Sequence, residues 1–253
     1  MIEYRMMDET CLLCYGLHGG PIPVEETRTP EARPIAAESE NGVRQGTIAE
    51  FLRAVCRAYG SCAVLAIDGN HVVGKLRFYP QKLVDMLEPG PCLQTPDHVR
   101  GIAAFDLESL PPKDSLSEKV LRIWCFQVLN DYSAMAEGRP QRWPSYLRRG
   151  IGTTMLKKLI EWSRAEGWDE IRATAIAHIR PLMAWSQALS VERYRKLGFE
   201  VTLSANRDQA GPVSQRRGAH GEVIKKMWEP YAHVSDEEAS RLYDVALDLK
   251  KEV

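Results

Sequence analysis

Residues 147–154 read Leu147-Arg148-Arg149-Gly150-Ile151-Gly152-Thr153-Thr154, and a helical repeat of apolar residues follows them. The apolar positions of that repeat are Met155, Leu156, Leu159, Ile160 and Trp162. The pattern predicts a helix from just after Gly150 to about Glu166. Glycine has no Cβ, so a ligand can approach the backbone closely at the helix start. The free N–H groups and the dipole of a helix start favour a phosphate, and the two arginines add charge suited to a pyrophosphate.

Two common phosphate loops do not fit this stretch. An NTPase loop would end in Lys followed by Ser or Thr, whereas Thr153 directly follows Gly152. A dinucleotide fingerprint would need a glycine where Met155 stands, and a strand immediately before the turn. Taken alone, the stretch is also compatible with a helix start that merely contains two flexible glycines.

A second motif lies further along the chain. A strand is predicted over Glu170–Ile176, a helix over Pro181–Lys196, and the helix ends in Tyr194-Arg195-Lys196-Leu197-Gly198-Phe199, which begins 44 residues after Gly150. This ordered pair of motifs resembles the GNAT superfamily of acyl-CoA-dependent N-acyltransferases. The resemblance covers roughly Lys119 to Trp228 and extends more loosely from Thr47 onward. It implies an α+β fold in α/β/α layers, with a mixed, mostly antiparallel central sheet flanked by helices.

The resemblance also implies a site. Backbone amides near the helix start would hold the pyrophosphate of acetyl-CoA, the cosubstrate, and a strand end would splay from its neighbour and pair with the pantetheine arm. The residues so assigned are Phe126, Gln127, Val128, Arg148, Arg149, Gly150, Ile151, Gly152, Thr153, Thr154 and Gln187. Tyr194 would protonate the departing CoA thiolate, although a tyrosine on a helix can also be an amphipathic core residue. The acceptor would be an amine that the sequence does not identify.

The chain departs from the family pattern in several places. Leu147 stands where the family has Gln or Arg, Gln187 where an Asn is common, and the 22 positions from Val128 to Gly150 exceed the usual loop. Arg122 and Trp124 occupy the places where many relatives carry a carboxylate on the central strand. The general base is therefore open.

Two residues are candidates for that base. His178 follows the strand 170–176 and has a suitable pKa range, and Asp131 follows the central strand. Each can instead be a surface or structural residue. A CoA-binding sensor or interaction module without catalysis, built on the same fold, is the alternative function.

The remaining chain divides into three predicted parts. Residues 1–46 are predicted to be an irregular N-terminal segment packed on the domain, 47–230 the acyltransferase domain, and 231–253 a C-terminal helix. Further predicted elements are a helix over Thr47–Tyr59, a hairpin of Cys62–Ile67 and His71–Tyr79, a short helix over Lys82–Leu87, and strands over Lys119–Leu129, Phe199–Ser204 and Glu222–Trp228.

Composition narrows the class of protein. The 253 residues are 44% hydrophobic and 26% charged with a net charge of −1, which disfavours a disordered chain or a nucleic-acid binder. Residues 1–40 carry a net charge of −5 and residues 137–226 of +8, which suits a compact anionic ligand or a solvated basic face. No apolar run reaches the length of a membrane helix, and the N-terminus lacks a secretion signal. We expect a cytoplasmic protein without a membrane or nucleic-acid partner. Whether it forms a homodimer is left open by the sequence.

Three N-terminal residues offer a different hypothesis. Cys11, Cys14 and His18 have a spacing that could supply three zinc ligands or a redox pair. A second Cys-x-x-Cys is absent from the sequence. A buried N-terminal strand or turn is therefore the favoured explanation of the two cysteines, and no metal ligand is assigned.

Overall fold

The computed structural model describes most of the chain: residues 1–14, 17, 20–28, 45–87, 101–131, 134, 140–179, 183, 188–206 and 228–251. The strands are β1 (Ile2–Met6), β2 (Ile22–Pro23), β3 (Ala63–Asp68), β4 (His71–Pro80), β5 (Val120–Val128), β6 (Glu170–Ile176), β7 (Glu200–Asn206) and β8 (Arg241–Asp248). The helices are α1 (Val24–Arg28), α2 (Gln45–Tyr59), α3 (Gln81–Met86), α4 (Ile151–Ala165), α5 (Val191–Arg195) and α6 (Asp236–Ser240), with 3₁₀ turns at Leu107–Ser109, Lys113–Ser115 and Glu229–Tyr231.

The strands form one sheet in the order β1-β3-β4-β5-β6-β8-β7, with β2 paired to β4. Within that sheet β5 and β6 are parallel, and the other pairs are antiparallel. The predicted hairpin is present as β3 and β4, and Gly69 takes a positive φ of 58° in its turn. The predicted fold class, a mixed and mostly antiparallel sheet, is confirmed.

Helices cover both faces of the sheet, as predicted. On one face the ring of Phe78 from β4 packs against Trp162 of α4, with centroids 5.3 Å apart. On the other face the next residue, Tyr79, packs against Phe51 of α2 at 6.3 Å. Successive strand residues point to opposite faces, so α4 and α2 lie on opposite sides of the same strand. The predicted apolar stripe of α4 is buried at its four aliphatic and methionine positions.

The predicted C-terminal helix over 231–253 is wrong for most of its length. A short helix does begin where expected, and Ser235 Oγ caps it by accepting a hydrogen bond from the Glu238 amide at 3.1 Å. The chain then becomes β8, which inserts between β6 and β7. Val245 and Leu247 are buried at alternate positions, so the two-residue period of a strand and its pairing on both edges override the acidic helix signal.

Two other predicted elements also change. The helix predicted over Pro181–Lys196 is not continuous, because Ser190 is extended and bridges Ile176 of β6, so that α5 begins only at Val191. The N-terminal segment is not wholly irregular, since Ile2–Met6 forms edge strand β1 against β3. The last predicted strand, Glu222–Trp228, lies outside the described residues except at its final position.

Candidate active site

The central strands β5 and β6 diverge partway along their length. They pair only over Val120–Ile123 and Glu170–Ala173. At this point the register between β4 and β5 shifts. Arg77 pairs with Cys125 and Phe78 pairs with Ile123, so Trp124 is an extra residue in a bulge of β5. Beyond the bulge β5 stays on β4, and β6 stays on β8. We call this divergence the strand fork. The splay predicted for the strand end 126–128 is therefore present.

The start of α4 lies beside the strand fork. Gly150 is the residue before the helix and has a φ of 77°, and no side chain caps the helix. Thr154 donates the first helical backbone bond, to the Gly150 carbonyl at 2.9 Å, so the amides of residues 151–153 have no partner within the helix. A Cβ placed on Gly152 would lie 3.9 Å from Phe126 Cδ1. Three amides able to bind an anion thus lie next to the free edge of β5.

Three arginines surround this helix start. Arg148 has a φ of 64° and is exposed, and the Arg149 guanidinium lies 4.7 Å above the Tyr146 ring. Arg193 of α5 donates a hydrogen bond from Nη1 to Thr153 Oγ1 at 3.3 Å. Among the described residues none of the three forms an ion pair with a carboxylate. Arg193 is not among the residues predicted from the sequence, although its place directly before Tyr194 in the second motif is a usable signal.

Tyr194 packs against Phe126 in the core. It is 1% exposed, and its ring contacts Phe126 at 6.5 Å and Phe199 at 4.9 Å, both edge to face. Burial raises the pKa of the Tyr194 hydroxyl, and the charge of Arg122 acts in the opposite direction. No described residue hydrogen-bonds this hydroxyl. The group is therefore a protonated acid at neutral pH, and the part of the chain that the structure describes supplies no competing partner.

The two candidates for the general base, Asp131 and His178, differ in how their side chains are hydrogen-bonded. The Asp131 carboxylate accepts hydrogen bonds from the Ala134 amide at 3.1 Å and from the Arg142 amide and Nε at 3.1 and 3.0 Å. The side-chain hydrogen bond from Arg142 is the main cause that lowers the pKa of Asp131 to about 2. A carboxylate held in this way anchors the long loop after β5 and is a poor proton acceptor.

His178 remains available. Its Nδ1 lies 2.9 Å from Ser190 Oγ and 3.3 Å from Glu192 Oε2, and its side chain is 36% exposed. These contacts fix the ring at the end of β6 against the start of α5. Its Nε2 has no hydrogen-bond partner among the described residues.

Gln127 and Gln187 are also predicted to contact acetyl-CoA. The Gln127 side chain is buried, and its Oε1 accepts a hydrogen bond from the Leu17 amide at 3.2 Å, so it is turned toward the N-terminal segment while its backbone stays at the fork. Gln187 lies outside the described residues.

The metal or redox hypothesis receives no support from the described residues. Cys11 and Cys14 are each 1% exposed, and Cys11 Sγ lies 3.0 Å from Thr27 Oγ1. His18 is outside the described residues, and within them no three Cys, His, Asp or Glu side chains come close enough to hold a metal ion. No described helix combines the length and apolarity that a membrane span requires.

Known proteins resemble the chain in structure. No protein-family model and no curated protein matches it. Solved structures that do match include a GNAT-family acetyltransferase from Streptococcus pneumoniae, at 11% identity and TM-score 0.46 over 98% of this chain and 99% of that one. Another is the ribosomal-protein-S18-alanine N-acetyltransferase from Escherichia coli, at 11% identity and TM-score 0.46, with 100% of this chain and 97% of that one covered. A third is yncA, a putative acetyltransferase from Salmonella typhimurium with its cofactor acetyl-CoA, at 13% identity and TM-score 0.46, with 100% of this chain and 96% of that one covered.

Each of these names is that of an acetyltransferase. With at most 13% of positions identical, the roles of individual residues rest on the contacts of this chain alone.

Proposed function

We propose that the protein is an acyl-CoA-dependent N-acyltransferase that moves an acetyl group from acetyl-CoA to an amine. The observation that carries the proposal is the position of Phe126 in the diverging part of β5. Gly152 of the helix start approaches one part of its ring, and Tyr194 packs against it as well. A group for anion binding and a group for proton donation thus meet at one strand end.

The chain can bind the donor through three kinds of contact. The free amides of Ile151, Gly152 and Thr153 bind the diphosphate, with Arg149 and Arg193 adding charge. The edge of β5 that no longer pairs with β6 offers backbone groups to the pantetheine arm, in the manner of an added strand. Both features lie at the strand fork, so the thioester is directed toward Tyr194.

The transfer itself is a direct attack. The amine nitrogen bonds to the thioester carbonyl carbon, a tetrahedral oxyanion forms, and the C–S bond breaks as the carbonyl returns. Tyr194 gives its proton to the leaving thiolate. The attacking nitrogen loses a proton, and His178, with Nε2 free and Nδ1 held by Ser190 and Glu192, is the acceptor that we assign to it.

A second function is favoured by one observation. The central strand carries Arg122 and Trp124 instead of a carboxylate, which would suit a module that binds acyl-CoA without turnover. Calorimetry with CoA, combined with thiol release from acetyl-CoA across a panel of amines, separates the two. Binding with amine-dependent thiol release supports the enzyme, binding without it supports the module, and no binding contradicts both.

A further inference from the structure

A large cavity lies on the sheet face opposite α5. Its volume is about 900 Å³, within the range of small-molecule sites. Asp244, Ala246 and Asp248 of β8 line it, whereas Val245 between them is buried at 1% in the core on the other face. The α4 and α5 side holds the proposed donor site. An acceptor that attacks the same thioester must therefore approach from the cavity side.

The charges that line the cavity do not balance. Its acidic residues are Asp85, Glu118, Glu170, Glu200, Asp244 and Asp248, and its basic residues are Arg122, Arg172 and Lys251, which leaves a net charge of −3. The three bases pair with Asp244 at 3.2 Å, Glu170 at 2.6 Å and Glu200 at 3.7 Å, respectively. Glu118 and Asp85 act on Arg172 electrostatically without a described hydrogen bond to it, and Asp248 has no cationic partner within hydrogen-bond distance among the described residues. Such a lining favours a ligand with several positive charges.

The cavity reaches the strand fork through one hydrogen-bonded network. Arg122 Nη2 donates to Thr174 Oγ1 at 2.5 Å and to Asp244 Oδ1 at 3.2 Å, and the Thr174 hydroxyl donates to the same Asp244 oxygen at 3.3 Å. Thr174 is the first residue of β6 beyond its pairing with β5. Arg122 also acts electrostatically on Tyr194. The network therefore connects the wall of the cavity to the point where β6 leaves β5.

We infer that this cavity is the acceptor site, and that the acceptor is a small aliphatic amine carrying two or more positive charges. The reacting amine lies at the fork beside Asp244, from which its proton passes to His178 through water. A distant ammonium group lies near Asp85, Glu118 and Asp248. Asp244 and Asp248 are four residues apart on one strand, about 13 Å at roughly 3.3 Å per residue, a span that an extended polyamine covers. This inference rests on the proposed function and adds the substrate class to it.

The test compares spermidine with butylamine, which carries a single positive charge, at constant ionic strength. We expect kcat/KM for spermidine to exceed that for butylamine by about tenfold, or roughly 1.4 kcal/mol. Asp248→Asn should raise the KM for spermidine about fivefold, or roughly 1 kcal/mol, and leave the KM for acetyl-CoA unchanged. Asp244→Asn should lower kcat/KM for both amines. The control is Asp169→Asn, which removes an exposed carboxylate paired with Lys250 outside the cavity.

Calorimetry separates the possible failures. Spermidine that binds the wild-type protein and loses affinity in both cavity variants, with circular dichroism unchanged, supports the inference. Equal kcat/KM for the two amines, or an unchanged spermidine KM in Asp248→Asn, overturns it while acyl transfer to other amines stands. Failure to bind CoA overturns the proposed function, and the acceptor role of the cavity with it.

Discussion

Arg193 Nη1 donates a hydrogen bond to Thr153 Oγ1 at 3.3 Å, so the residue that precedes Tyr194 contacts the first turn of α4. This bond links the two motifs that are 44 residues apart in the sequence. The helix start that we propose to bind the anion is therefore in direct contact with the residue next to the proposed proton donor. We expect a change at this contact to affect acetyl-CoA binding first.

We predict that Arg193→Gln weakens acetyl-CoA binding. The variant loses one positive charge beside the diphosphate, which at a partly exposed position corresponds to about 1 kcal/mol and a KM about fivefold higher. Arg195→Gln, a neighbour on the same helix that forms no described ion pair, is the matched control and should leave the KM unchanged. Steady-state kinetics with acetyl-CoA as the varied substrate checks both. Equal effects of the two variants would contradict a specific role of Arg193.

Tyr194→Phe should lower kcat by about 100-fold, because the thiolate then leaves without a nearby proton donor. CoA affinity should change little, since the ring contacts to Phe126 and Phe199 remain. The free energy of unfolding should also hold or rise, because no described residue hydrogen-bonds the lost hydroxyl. Kinetics, calorimetry and urea unfolding measure the three quantities. A loss of CoA affinity with normal kcat would refute the acid role.

Gly150 and Gly152 should respond differently to alanine. Gly150 has a φ of 77°, so Gly150→Ala should cost about 1 kcal/mol of unfolding free energy, although the space around its missing Cβ is open. Gly152→Ala would meet Leu189 Cδ2 at an ordinary 3.6 Å and adds a better helix former, so stability should be kept or raised. Urea unfolding without ligand decides this. Similar losses in both variants would contradict the assigned helix start.

Asp131 should make the free energy of unfolding depend on pH in the acidic range. Its pKa is lowered in the folded protein from 3.8 to about 2, so its stabilising contribution is complete above the unfolded value and is lost as pH falls through the folded one. Asp131→Asn should therefore flatten the decline of unfolding free energy across that window. Asp114→Asn, which removes an exposed carboxylate in a 3₁₀ turn, is the control. An unchanged slope in Asp131→Asn would show that Arg142 does not hold this carboxylate charged.

The sequence was informative where local signals and tertiary packing agree. The helix after Gly150 and the hairpin around Gly69 were predicted closely, because glycine punctuation and apolar periodicity point to the same elements. The divergence of β5 from its neighbour was predicted through the family resemblance, since the bulge at Trp124 has no local sequence signature.

Other features depend on contacts between distant residues. The acidic first turn of α6 predicted a long helix, but pairing of the following segment with β6 and β7 determines its strand form. Arg193 lies at the start of α4, and Asp244 beside β6, only because α5 contacts α4 and β8 inserts beside β6. The low pKa of Asp131 likewise requires Arg142, which lies eleven positions away. None of these pairings can be read from residue spacing alone.

A crystal structure of the protein with acetyl-CoA tests the central claim most directly. We expect the diphosphate within hydrogen-bond distance of the amides of residues 151–153, at about 2.9 Å, and the pantetheine arm along the free edge of β5 with its sulfur next to the Tyr194 hydroxyl. A coenzyme bound elsewhere, or a sulfur remote from Tyr194, would contradict the account.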